Sequence, residues 1–157
     1  MNYQVKTIGT VKNDEAGTFI QLEPEYIPGL LALEGFSHIN VIWWFSGCDN
    51  DAARNELQFE QPYKGAPEVM GVFATRAPAR PNPIALTASE IIGLDYANGI
   101  IRIAFIDAED NTPVLDIKPY TPSLDRVETP DVPAWCSKWP KSTEASGSFD
   151  WEQVFNF

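Results

Sequence analysis

The sequence predicts a mostly β domain: a small antiparallel β-barrel with short helical segments and an irregular C-terminal tail. Three observations carry this. Short runs of β-branched and aromatic residues recur with period-two patterning, the spacing of a half-buried strand. There are thirteen prolines in 157 residues, about 8% against a usual value of about 5%. Proline lacks an N–H and fixes φ, so it breaks long helices and central strands. Finally, Asn98-Gly99 lies between two β-type runs, where that pair favours a type I′ hairpin. Short strands joined this way close into sandwiches or barrels.

The elements follow in order. Val5, Thr7, Gly9 and Val11 fall at period two and predict a first strand that turns near Asn13-Asp14; Thr18–Leu22 is its partner, ended by Glu23-Pro24-Glu25. Pro28–Leu33 is bounded by Pro and Gly and gives a helical turn. Ile39–Phe45 is nearly continuous and apolar, as in a strand buried on both faces or shared with a partner subunit. Asn50–Phe59 predicts a short helix capped by Asn50 or Asp51. Val69–Thr75 is a strand leading into a proline-rich loop, Arg76–Pro83. Leu86–Tyr96, Ile100–Asp107 and Val114–Lys118 complete the set. Residues 1–127 form the barrel domain. Residues 128–157, rich in Pro, Trp and Phe, form a tail packing on the domain or on a dimer partner. Within it Ser142–Gly147 reads as polar and mobile, and Phe149–Phe157 is too aromatic to be simply solvated.

A chain this long buries about 68–70% of its unfolded surface, enough to hold a core without disulfide or metal. The two cysteines, Cys48 and Cys136, form no CxxC pair, which argues against a zinc site and for free thiols in the cytosol. No apolar run approaches the ~18 residues of a membrane span, and the N-terminus has no apolar signal core. A cytoplasmic protein is expected. Lys and Arg number 11 against 22 Asp and Glu, a net charge of −11. Non-specific RNA affinity comes from neutralising phosphates, so RNA is not the default partner of such a chain. No glycine-rich phosphate loop is present. The single histidine, His38, reads as a hydrogen-bonded structural residue, and Trp43-Trp44 as core or interface.

Two loops could carry chemistry. In Arg76-Ala77-Pro78-Ala79-Arg80-Pro81-Asn82-Pro83, three prolines stiffen the backbone beneath two arginines and an asparagine. Such groups lose little entropy on binding, and arginine's planar fork suits carboxylates and phosphates. A rigid loop with arginines pairing local groups is the plainer alternative. The second loop runs from Asp107 to Tyr120. Asp116 and Lys118 are two apart and share one face of a strand, with Ile117 on the other. Tyr120, after Pro119, could point back toward them. A carboxylate, an ammonium and a phenol together could move protons, or they could be an exposed ion pair beside an edge tyrosine.

These segments resemble a known family. Gly71-Val72-Phe73-Ala74-Thr75-Arg76, then Arg80-Pro81-Asn82-Pro83-Ile84, then Thr112-Pro113-Val114-Leu115-Asp116-Ile117-Lys118-Pro119-Tyr120, with Leu33–His38 upstream, look like the TsaA/TrmO-like family of SAM-dependent tRNA adenosine N6-methyltransferases, in a short form without the C-terminal domain. The resemblance covers roughly Tyr3 to Asp125. It implies a small β-barrel that binds S-adenosylmethionine without a Rossmann fold, a homodimer with each cofactor near the interface, and methylation of the exocyclic amino nitrogen of a threonylcarbamoyl-modified adenosine beside the tRNA anticodon. It assigns cofactor contact to Arg76, Leu86, Thr112, Pro113, Val114, Leu115, Ser46 and Gly47, and Phe73 joins them because a cationic sulfonium favours an aromatic face. It places Arg80 and Asn82 toward the substrate and Asp116, Lys118 and Tyr120 at the reacting amine, with Asp116 as the preferred proton acceptor. No metal and no membrane are implied. Three departures stand out. Asp110-Asn111-Thr112-Pro113 replaces the family's Asp-Gly-Thr-Pro, a change that Asn's tolerance of left-handed φ allows. Pro83-Ile84-Ala85 replaces Pro-Ile-Gly, and the loop after Val11 is shorter. The charge of −11 keeps two alternatives open: a methyltransferase for a small or non-RNA substrate, and a non-catalytic SAM-binding dimer.

Overall fold

Six strands close into one antiparallel barrel in a computed structural model that describes residues 1–157. The chain has eight strands: β1 (Gly9–Asp14), β2 (Gly17–Leu22), β3 (His38–Trp44), β4 (Gln58–Glu60), β5 (Val69–Gly71), β6 (Ile84–Asp95), β7 (Ile100–Ile103) and β8 (Pro113–Pro119). Around the barrel the order is β1-β2-β7-β6-β3-β8; β4 and β5 form a separate two-stranded hairpin. Three short α-helices, α1 (Asp51–Arg54), α2 (Pro122–Asp125) and α3 (Thr143–Ser146), and five 3₁₀ turns complete the fold.

The barrel interior is built by alternation. Ile39, Val41 and Trp43 of β3 point in and are nearly inaccessible. They meet Val11, Ile20, Leu22, Ile101, Ile103 and Val114 in one cluster of 12 buried residues. Fully burying a Val or Ile side chain stabilises by about 1.5–3 kcal/mol, so this one face holds the domain. The Trp43 indole is buried with its polar end satisfied, Nε1 donating to Thr87 Oγ1 at 3.0 Å.

Several expectations are corrected. β1 starts at Gly9, not Val5, which is 61% exposed. Asn13 and Asp14 still pair with Thr18 and Gly17, so the turn falls at Glu15-Ala16. β3 is buried on one face, not both. The helix over Asn50–Phe59 shrinks to the four residues of α1, because Gln58–Glu60 pairs with β5; Asn50 is its cap, accepting from Ala53 N at 3.0 Å. The strand from Val69 stops at Gly71, where a 3₁₀ turn, Val72–Ala74, begins. The β6–β7 hairpin is not type I′. Only Gly99 has positive φ (67°), and Asp95 Oδ1 accepts from Asn98 N at 3.1 Å, which lets a longer loop close without a second left-handed residue. Ser142–Gly147 is a capped helical turn, Ala145 N donating to Ser142 Oγ at 3.1 Å.

Beyond the barrel the chain folds back on itself. Tyr63, between β4 and β5, bridges to Phe155. Its ring stacks on Trp135 and meets Trp139 edge-on, and Trp139 in turn meets Trp151. Both cysteines are free thiols, and no helix is long and apolar enough to cross a membrane.

Candidate functional site

Strand register decides which loops meet. The C-terminal end of β3 pairs with the start of β6 (Trp44 with Ile84) and the start of β8 (Trp43 with Val114). Ser46-Gly47, the Arg76–Pro83 loop and the Thr112 turn therefore emerge at one end of the barrel. Residues distant in sequence share that end because antiparallel pairing sets the end of one strand beside the start of its neighbour.

The Arg76–Pro83 loop is tied down along its length. Thr75 is buried and its hydroxyl donates to Val72 O at 2.9 Å. Phe45 N donates to Pro83 O at 2.8 Å. Both arginines bond to carbonyls of the chain itself. Arg80 Nη1 donates to Ala77 O at 3.1 Å, and Arg76 Nη2 donates to the Leu86 carbonyl. Asn82 is exposed on the loop's outer side. Phe73, in the turn before Arg76, is 84% exposed, and Leu86 half exposed. Ser46 and Gly47 are exposed beside them.

A buttress at this end escaped the sequence reading. Asp49 accepts from Arg54 Nε at 2.6 Å and from Trp44 Nε1 at 3.1 Å. Arg54 lies over the Trp44 ring, 5.4 Å from its centroid, and also donates to Pro81 O at 3.0 Å. One guanidinium thus joins the Ser46 turn to the proline loop. The hydrogen bond from Arg54, then that from Trp44, holds the Asp49 carboxyl below the ordinary Asp value. The only signal in the sequence was the Asn50 cap, which sets Asp49 and Arg54 on either side of one helical turn.

On the Thr112 side, Asn111 adopts φ 67°, the left-handed conformation that the turn needs. Its side chain accepts from Lys12 Nζ. Thr112 is buried, and its carbonyl accepts from Val11 N at 2.8 Å. Val114 points into the core with its carbonyl bonded to Ile8 N at 2.8 Å, so neither its side chain nor that carbonyl is free for a ligand. Pro113 and Leu115 are half-buried at the rim.

Asp116 and Lys118 lie on the outer face of β8 and form an ion pair at 2.8 Å. Hydrogen bonding to Asp116 raises the Lys118 ammonium above its ordinary value. The second Asp116 oxygen accepts from Ile117 N at 2.9 Å. Tyr120 does not join them. Its ring sits edge-on to His38, centroids 6.3 Å apart, and its N–H donates to His38 O at 3.0 Å. His38 Nδ1 is 2.8 Å from Ser37 Oγ. The predicted proton-transfer trio is thus a pair, with the tyrosine further down the same face.

With this geometry in view, similarity to known proteins is informative. The family model described as tRNA-methyltransferase O N-terminal domain matches residues 8–126. An S-adenosyl-L-methionine-binding protein of Archaeoglobus fulgidus is 39% identical over 113 residues, 72% of this chain and 76% of that protein. A probable S-adenosyl-L-methionine-binding protein of Pyrococcus abyssi is 40% identical over 125 residues, 80% of this chain and 62% of that one. The crystal structure of TrmO from Pseudomonas aeruginosa superposes with a TM-score of 0.62 at 27% identity, covering 83% of this chain. The match spans only 62% of the crystallised TrmO chain. A family match across the whole barrel, sustained by identities near 40% in archaeal relatives, settles the lineage: the chain belongs to the tRNA-methyltransferase O N-terminal-domain family.

Proposed function

We propose that this protein is an S-adenosylmethionine-dependent methyltransferase acting on the exocyclic amino nitrogen of a threonylcarbamoyl-modified adenosine beside the tRNA anticodon. Its support is the convergence of the three family loops at one barrel end. The residues there fit the cofactor. An exposed aromatic face (Phe73) and an open aliphatic surface (Leu86) match the two parts of the ligand, since a sulfonium favours ring faces and a nucleoside favours apolar contact. Bound there, the cofactor supplies an electrophilic methyl group for in-line displacement. Arg76 fixes the wall by holding the Leu86 carbonyl. Ser46, Gly47 and the backbone of Thr112–Leu115 close the rim. Arg80 stiffens the loop from within, and Asn82 faces outward toward the acceptor.

The acceptor nitrogen must lose a proton. Asp116 is the proposed acceptor for it, with Lys118 holding the carboxylate in place. Asp116→Asn is expected to keep cofactor affinity and lose at least tenfold in turnover, within the range of a general base; undiminished turnover removes Asp116 from this role. Exposed Phe73, Ile84 and Leu86 support a homodimer that covers this face, to be tested by sedimentation.

A second reading, a small non-RNA acceptor, is favoured by two observations. The net charge is −11, and Arg76 and Arg80 already bond to carbonyls of the chain itself. One assay decides between them. The protein is incubated with S-adenosylmethionine and tRNA, the RNA is digested, and the methylated nucleoside is sought by mass spectrometry. Its appearance supports the first reading. Cofactor binding by calorimetry without that product removes the first reading and leaves the second or a non-catalytic SAM-binding dimer.

A further inference from the structure

A cleft of about 850 Å³ lies between the outer face of the barrel and the chain that follows β8. Its floor is Ala88, His38 and Tyr120, and its far wall runs from Arg126 to Glu144. Most of that wall lies beyond residue 126, where the family match ends.

The cleft adjoins the proposed cofactor wall. Along β6, Leu86 and Ala88 point to the same face, one two-residue step apart, which is about 7 Å. Register sets Leu86 in a row with Ile42 and Asp116, and Ala88 in the next row with Asn40 and Lys118. A molecule in the cleft would have its near end beside Leu86 and the Asp116–Lys118 pair.

Its chemistry is specific. Of the five arginines, Arg54, Arg76, Arg80 and Arg102 all donate to acceptors within the protein. Arg126, at the cleft, has no side-chain partner, and neither does Lys141 across from it. The cleft carboxylates are mostly engaged. Asp125 accepts from Asn40 Nδ2 at 2.9 Å and from Thr121 N at 2.7 Å. Glu144 is held within the first turn of α3 by its own N–H and by Ser142 and Thr143. Those bonds come from neutral groups and leave both carboxylates charged, but Arg126 and Lys141 keep their N–H donors free toward the cleft. Between these charges, Trp139 offers a ring already clamped edge-on by Tyr63, Trp135 and Trp151, so ordering it on binding costs little.

We propose that this cleft is the acceptor pocket, and that Arg126 and Lys141 read a carboxylate on a nucleoside-sized molecule whose flat ring lies against Trp139 and Tyr120. The volume falls in the range of small-molecule pockets, roughly 300–1,000 Å³, enough for one flipped-out nucleotide and too little for a folded RNA. This rests on the methyltransferase reading for its donor and adds the residues that select the acceptor.

The test uses the whole chain and two free nucleosides, N6-threonylcarbamoyladenosine and adenosine, with tryptophan fluorescence and calorimetry as readouts. The carboxylate-bearing nucleoside is expected to bind at least tenfold more tightly than adenosine. Arg126→Gln and Lys141→Gln should each remove most of that preference while leaving S-adenosylmethionine affinity unchanged. No preference for the carboxylate, or a preference that survives both substitutions, overturns the proposal. The two readings fail separately. Equal methylation of tRNA by wild type and Arg126→Gln keeps the tRNA reading and removes the cleft. Carboxylate-dependent nucleoside binding without tRNA methylation keeps the cleft and removes tRNA.

Discussion

Single residues at the loop end carry more than their sequence context suggests. Asn111 stands in the left-handed region at φ 67°, where a β-branched residue is strained by roughly 1–2 kcal/mol. Asn111→Val should therefore lower stability by about that amount, with Asn111→Gly much closer to wild type, as read from urea midpoints. The Asn-for-Gly departure was legible because Asn's backbone tolerance is a local property. The Asp49 buttress was not legible, because its partners Trp44 and Arg54 meet it only once β3 has ended and α1 has formed. Its folded pKa lies below the ordinary Asp value of 3.8, through hydrogen bonds from Arg54 first and Trp44 second. A depressed carboxylate contributes stability that is fully present above the unfolded pKa and is lost as pH falls through the folded one. Arg54→Ala should move the Asp49 titration, followed by carboxyl NMR shifts, back up toward its ordinary position.

At the level of elements, the strands were readable wherever one face is buried. β2, β3 and β8 fall within a residue or two of expectation because period-two patterning marks them. The failures share a different cause. β1 was extended to Val5 because the alternation continues past the point where the partner strand stops. The helix at Asn50 was made too long because the short β4–β5 pairing has little pattern of its own. Two substitutions test the packing. A Cβ on Gly9 would sit 2.4 Å from Gln21 O and 3.0 Å from Leu22 Cα, both backbone atoms. Gly9→Ala must part β1 from β2 and should cost about 1–3 kcal/mol, the usual range for overpacking. Ile101 is 0% exposed at the centre of the core; Ile101→Ala should cost about 2–5 kcal/mol. Chemical denaturation of both variants checks these values.

For the whole molecule, the sequence marked out the candidate loops but gave little of the side-chain directions within them. Motif spacing identified Arg76–Pro83 and Thr112–Tyr120, but side-chain direction came only with the register. It bonded Arg80 to the chain's own Ala77 carbonyl, sent Val114 to the core and set Tyr120 beside His38. The aromatic returns from Trp135 to Phe157 were visible as composition, while their anchor, Tyr63, was not, being one tyrosine in an unpatterned loop. Tyr63→Ala should speed amide hydrogen exchange at residues 61–64 and 135–157 and leave β3 and β6 protected, as expected of a separately opening unit. The barrel itself closes unevenly. β3 and β6 share seven register pairs, but β1 and β8 share two, Gly9 with Val114 and Thr10 with Pro113. Those two join opposite ends of the family-matched region, so loop-closure entropy delays them most. They are expected to be the last contacts made in folding. A pull on the N-terminus would part them first, unhooking the Thr112 turn while the rest of the sheet still holds.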